Sequence, residues 1–141
     1  MSTRSGSTAA AEAEVLLPAG WPRPKGYANG VAATGRHVFV AGMIGWDAQG
    51  RFASDDLVDQ VRQALLNVRE VLAEAGATPA HVVRMTWYLV DKRDYVARGR
   101  EIGAVYREVM QGHYGVAMTA VQVAGLIEDR AKVEIEVTAV V

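Results

Sequence analysis

The 141-residue chain contains no cysteine. That excludes disulfides, thiolate nucleophiles and cysteine-based metal sites, and it suits a reducing cytoplasm. No apolar run approaches the ~18 residues that a membrane span needs. The opening stretch MSTRSGSTAAAEAEV lacks the apolar core of a signal peptide and carries Glu12 and Glu14. The expectation is a cytoplasmic protein with no membrane partner. An excess of either charge is also missing: 15 basic residues stand against 16 acidic ones, a formal net charge of -1. Such a balance offers no electrostatic footprint for nucleic acid. The three histidines, His37, His81 and His113, lie in separate segments without metal-ligand spacing, so neither a metal nor a cofactor is expected. There is no Gly-rich phosphate loop, nucleophile elbow or catalytic triad.

What is present is an ordinary globular composition, 50% hydrophobic and 22% charged. The length fits one domain in the usual range of roughly 100–200 residues. Residues 1–13 are small and polar and read as a flexible tail, leaving residues 14–141 as the domain. Residues 15–27, VLLPAGWPRPKGY, hold three of the four prolines and read as an extended, turn-broken lead-in. Residues 28–35 and 37–42 read as short strands, followed by a loop, MIGWDAQGRF. Residues 55–76 carry Leu57, Val61, Ala64, Leu65, Val68, Val71, Leu72 and Ala75 at helical spacing, with Ser54 or Asp55 as cap and Gly76 as stop. His81–Val90 is rich in β-branched and aromatic residues and reads as a long strand. A second helix is expected over about 94–110, weakened by Gly99 and Gly103 at roughly 1 kcal/mol each unless packing needs them small.

The C-terminal run AMTAVQVAGLIEDRAKVEIEVTAVV holds two more strands. Met118–Ala124 and the final strand are expected to pair as a hairpin around GLIEDRA. In the final strand Val133, Ile135, Val137 and Ala139 share one face, and Lys132, Glu134, Glu136 and Thr138 share the other. Glu134 is then either solvated and paired with Lys132 or Arg130, or turned toward a pocket. The order β-β-α-β-α-β-β predicts an α+β fold with a mixed sheet and both helices on one face. Two helices cannot cover both faces, so another copy of the chain is the simplest cover for the second.

Several stretches together resemble the RidA family, also called YjgF or L-PSP. They are KGYANGV, VFVAGMIG, QALLNVREVLAEAGA, VVRMTWYLVD and VQVAGL with KVEIEVTAV, and they span about residues 16–141. The resemblance implies a chorismate-mutase-like α+β fold and a homotrimer with small-molecule sites at its subunit interfaces. It implies hydrolysis of reactive enamines and imines to a ketoacid and ammonia. Carried over residue by residue, it makes Glu134 the carboxylate that handles the attacking water and Tyr27 the aromatic that packs over the substrate. The family's Ser-Gly-Gln becomes Ala41-Gly42-Met43, so Gly42 keeps only its backbone donor and Met43 replaces a polar grip. The family's substrate-binding Arg is Met118, and the nearest position to its helical Asn is Gly103.

A planar guanidinium forks onto a carboxylate, and a thioether does not. This chain is therefore expected to be poor at hydrolysing iminopropanoate. Arg98 or Arg100, or Lys25 beside Tyr27, are the candidates to restore the charge from a neighbouring subunit. Lys92, Arg93, Arg98 and Arg100 otherwise read as a solvated basic cluster. His113-Tyr114 reads as surface loop, with the pocket mouth as its functional alternative. A metabolite-binding trimer without turnover is the alternative function, and an endoribonuclease is the third.

Overall fold

The computed structural model describes residues 13–141. The expected tail, except for Ala13, lies outside the described residues. Among the described residues, six strands and three α-helices follow in chain order: β1 (Glu14–Leu16), β2 (Gly30–Ala32), β3 (His37–Ile44), α1 (Leu57–Glu74), β4 (Val82–Leu89), α2 (Lys92–Ala97), α3 (Gly99–Val109), β5 (Ala117–Gln122) and β6 (Val133–Val140). The fold is mixed α+β. β1 and β2 form their own antiparallel ladder. The other four strands form one sheet in the order β3-β6-β4-β5, with β5 parallel to β4 and the remaining pairs antiparallel.

α1 is fixed by its burial stripe. Val61, Ala64, Leu65, Val68 and Leu72 are fully enclosed, and burying each large apolar side chain contributes roughly 1.5–3 kcal/mol. Val71, read into the stripe from spacing, is exposed instead. The cap is Asp56, whose carboxylate accepts from the Asp59 N–H at 3.2 Å. Ser54 serves one step back, accepting from the Asp56 N–H and donating to the Asp59 carboxylate. Gly76, at φ +72°, ends the helix, and the Ala77 N–H reaches back to the Leu72 carbonyl at 2.9 Å. Gln60 is buried in the stripe and spans two segments. Its amide donates to the Ser54 and Arg130 carbonyls and accepts from the Lys132 N–H.

The expected C-terminal hairpin does not form. β4 lies between β5 and β6 and pairs with both. β4 buries Val82, Met85, Trp87 and Leu89, so it belongs at the sheet centre with a neighbour on each side. The long connection over residues 123–132 lets β5 run parallel to β4 at the edge rather than fold back on β6. The second helix is also two helices. Arg98 at φ -100° and ψ 18° separates α2 from α3. The strand expected over residues 28–35 shortens to β2, and its partner β1 comes from the start of the lead-in, ahead of the first proline.

α1 packs on β3 and β6, and α3 packs on α1, so the main helices lie on one face of the sheet. The other face carries Phe39, Arg84, Tyr88, Glu134, Glu136 and Thr138 and has no layer over it among the described residues. Phe39 is 75% exposed there. No described helix is long and apolar enough to cross a membrane.

Candidate functional site

Strand register decides which candidate residues can meet. Met118 pairs with Met85, and Glu134 pairs with Tyr88. Met85 and Tyr88 stand an odd number of residues apart on one strand, so they point to opposite faces. Met118 therefore lies on the helix side and packs against the core, whereas Glu134 lies on the open side. One protomer does not bring these two residues together.

On the open side, Glu134 and Gly42 form a tight pair. A bulge in β3 between Val40 and Met43 turns Gly42 toward the Glu134 side chain. A methyl group at Gly42 would collide with the Glu134 carboxylate. Glu134 is half-buried and has no ion-pair or hydrogen-bond partner among the described residues. The pairing with Arg130 is not made, because that guanidinium binds Asp55 at 2.9 Å. Beside it, the Tyr88 hydroxyl donates to Glu136 at 2.6 Å, and this bond raises the phenol's pKa. Met43 pairs with Ile135 and packs against the core, away from Glu134.

On the helix side, Met118 lines a cleft of about 480 Å³ between the β4–β5 edge, α2–α3 and the lead-in. Trp87, Tyr95 and Ile102 form its inner wall, Gly99 and Gly103 one side, and Lys25, Arg107 and Tyr114 its mouth. Tyr106 stacks on Tyr114 with ring centroids 5.5 Å apart, and its hydroxyl donates to the His113 carbonyl at 2.6 Å. Burial pushes the Tyr106 and Tyr95 phenols above their ordinary range, so both stay protonated. Tyr27 does not line this cleft. It is 43% exposed and borders an adjoining hollow, with Gly26 and Tyr114 shared between the two.

The candidates for a substitute cation separate. Arg98 is committed elsewhere: it donates to Glu101 at 2.7 Å and to Asp56 at 2.9 Å. Arg100 is exposed and does not line the cleft. Lys25 does line it, on the same protomer as Met118 rather than from a neighbour. Spacing gave no reason to single out Arg107, although it lies four residues after Gly103 and so shares its helix face. Trp87 was legible only as a strand residue. Its Nε1–H is buried with no hydrogen-bond partner among the described residues, and a tryptophan on a core face always raises the question of an acceptor. His113 is half-buried, with Nε2 2.9 Å from the Val82 carbonyl, and only its neighbour Tyr114 reaches the cleft.

Residues 22–141 match the family described as Endoribonuclease L-PSP. A RutC family protein of Pyrococcus horikoshii is 33% identical over 127 residues, covering 89% of this chain and 96% of its own. The 2-iminobutanoate/2-iminopropanoate deaminase of Capra hircus is 35% identical over 106 residues, covering 74% of this chain and 73% of its own. Among solved structures, a protein of unknown function of the conserved Rid family from Yersinia pestis superposes with a TM-score of 0.82. It is 32% identical and covers 92% of this chain and 99% of its own.

Proposed function

This chain belongs to the Endoribonuclease L-PSP family, the RidA/YjgF group, and from that premise we propose that it hydrolyses a small reactive imine or enamine. The substrate is not iminopropanoate, because Met118 offers no cation to a small carboxylate. The proposed site spans two protomers of a homotrimer. The cleft of one protomer binds the substrate, and Glu134 of the next handles water.

The observation that carries the reading is the seating of Glu134 against Gly42. A carboxylate that is half-buried and unpaired, held against a glycine backbone on an uncovered sheet face, suits proton transfer once that face is covered. The separation of Glu134 from the Met118 cleft by the sheet itself supports assembly of the site from two copies. The exposed Phe39 and the unlayered face support a further copy as the cover.

The step balances without redox change. Water's oxygen bonds to the imine carbon while Glu134 takes a proton from it. That proton passes to nitrogen and gives a carbinolamine; Glu134 then carries the hydroxyl proton to the same nitrogen as the carbon–nitrogen bond breaks, so that ammonia leaves and the ketoacid remains. Replacing Glu134 by Gln keeps the size and removes the base. Ammonia release from a panel of freshly generated imines should fall ~100-fold or more, with ligand binding retained. Equal turnover by Glu134→Gln overturns the assignment of Glu134. An absence of turnover in both proteins across the panel favours a binding protein instead.

A further inference from the structure

Gly103 sits inside α3, where glycine is less stable than alanine. Packing does not explain it. A Cβ built at Gly103 or at Gly99 would meet nothing within 4 Å. The two glycines are four residues apart, so they share one helix face, and that face forms a side of the cleft. The space they leave is open within this chain.

The surroundings of that space indicate what fills it. Its inner wall is aromatic: Trp87 and Tyr95 lie with ring centroids 6.1 Å apart, and the stacked Tyr106–Tyr114 pair borders the other side. The volume of about 480 Å³ falls in the range of ~300–1,000 Å³ typical of clefts for mid-sized ligands. A pyruvate-sized acid leaves most of it empty. At the mouth, the Lys25 ammonium and the Arg107 guanidinium have no carboxylate partner among the described residues.

Resting on the deaminase reading above, we propose that the cleft selects an imino acid with a flat aromatic side chain. The ring lies over Gly103 against Trp87 and Tyr95. The carboxylate turns outward to Lys25 and Arg107, away from Met118, which offers it no cation. The reaction is the hydrolysis already described, with an aryl ketoacid and ammonia as products.

Binding of the ketoacid products tests selectivity without requiring turnover. Titration calorimetry on the full chain should show phenylpyruvate binding at least ~10-fold more tightly than pyruvate, a difference that aromatic burial readily supplies. Gly103→Leu should abolish phenylpyruvate binding by filling the cleft. Gly103→Ala, which enters open space, should fold at least as well as the parent and weaken binding less. Lys25→Ala and Arg107→Ala should each weaken phenylpyruvate by about 1.5- to 5-fold, as expected for exposed charge pairs. Equal affinity for the two acids, or phenylpyruvate binding unchanged in Gly103→Leu and Gly103→Ala alike, overturns the proposal. The deaminase reading fails separately. Tight phenylpyruvate binding without ammonia release from the imine of phenylalanine sinks that reading and leaves the selectivity standing. Turnover confined to small aliphatic imines does the reverse.

Discussion

One face of the four-stranded sheet presents Val133, Ile135 and Val137 to α1, and all three are buried. The other presents Glu134, Glu136 and Thr138, together with Phe39 and Tyr88, to no layer among the described residues. Both patterns come from the same alternating strand. The first face is complete within one chain, because the apolar stripe of α1 matches it. The second has apolar groups without cover and a carboxylate without a partner. A face of that kind in a folded domain is where further chemistry or assembly is to be sought. The Met118 cleft is a third situation. It lies on the finished side, but two glycines keep part of it open.

The largest effect should separate the two faces directly. Leu65→Ala removes a fully buried side chain from the finished face and should destabilise the fold by about 2–5 kcal/mol, read from the denaturant midpoint. Phe39→Asp should leave the fold of the protomer intact, because its ring is 75% exposed. If the open face is covered by other copies, the same change should reduce the solution mass to that of one chain, measured by light scattering. An unchanged oligomer mass in Phe39→Asp would break the link between the open face and assembly.

A smaller effect is expected where the open face carries its chemistry. Gly42→Ala places a methyl group on the Glu134 carboxylate, so the acid must swing away. Displacing a reacting group by about an ångström can cost on the order of 100-fold in rate, so imine hydrolysis should fall by about 10- to 100-fold while the fold survives. Gly125→Ala is the matched control, since a Cβ there meets nothing within 4 Å. Equal losses in the two variants would mean that the seating of Glu134 has no special role.

How much of this was legible from sequence follows the same division. The α1 stripe and the alternation of β6 are periodic, and periodicity reports burial against the chain's own core. Hence Leu65, Val68, Ile135 and the two-sidedness of Glu134 could be read directly. Val71 was not distinguishable from its neighbours, because an apolar residue at the margin of a stripe has the right type without the right angle. Strand order was not legible. Nothing in Met118–Ala124 says that it pairs with β4 instead of β6, because partner choice depends on the length of the 123–132 connection and on β4's need for two neighbours. The open side of the Gly103 cleft was hidden for a related reason. A helix glycine looks the same in sequence whether it is kept small by a close neighbour or by an empty space. The unpaired Trp87 N–H is likewise a matter of missing surroundings, which no residue pattern encodes.

The smallest effect lies at the α2–α3 junction, where the wall of the cleft is tied to the finished core. Arg98 binds the α1 cap Asp56 and also Glu101. Its hydrogen bonds hold both carboxyls below their ordinary values. The sign follows from linkage. A carboxyl whose folded pKa is depressed adds stability that is present above its unfolded value, about 4, and is lost as pH falls through the folded value. Both carboxylates are more than a third exposed, at 39% for Asp56 and 57% for Glu101, so solvent screening keeps the contribution small. Arg98→Met, which keeps the apolar stem, should lower Tm by only a few degrees or less at pH 7. The difference from the parent should shrink as pH falls below about 4, because the parent then loses the same two interactions. A gap that stays constant down to the acid limb would mean that Arg98 stabilises the junction by packing alone. Phenylpyruvate affinity should be unchanged in this variant at pH 7, because Arg98 does not line the cleft. A loss of binding there would show that the junction sets the position of Gly99 and Gly103.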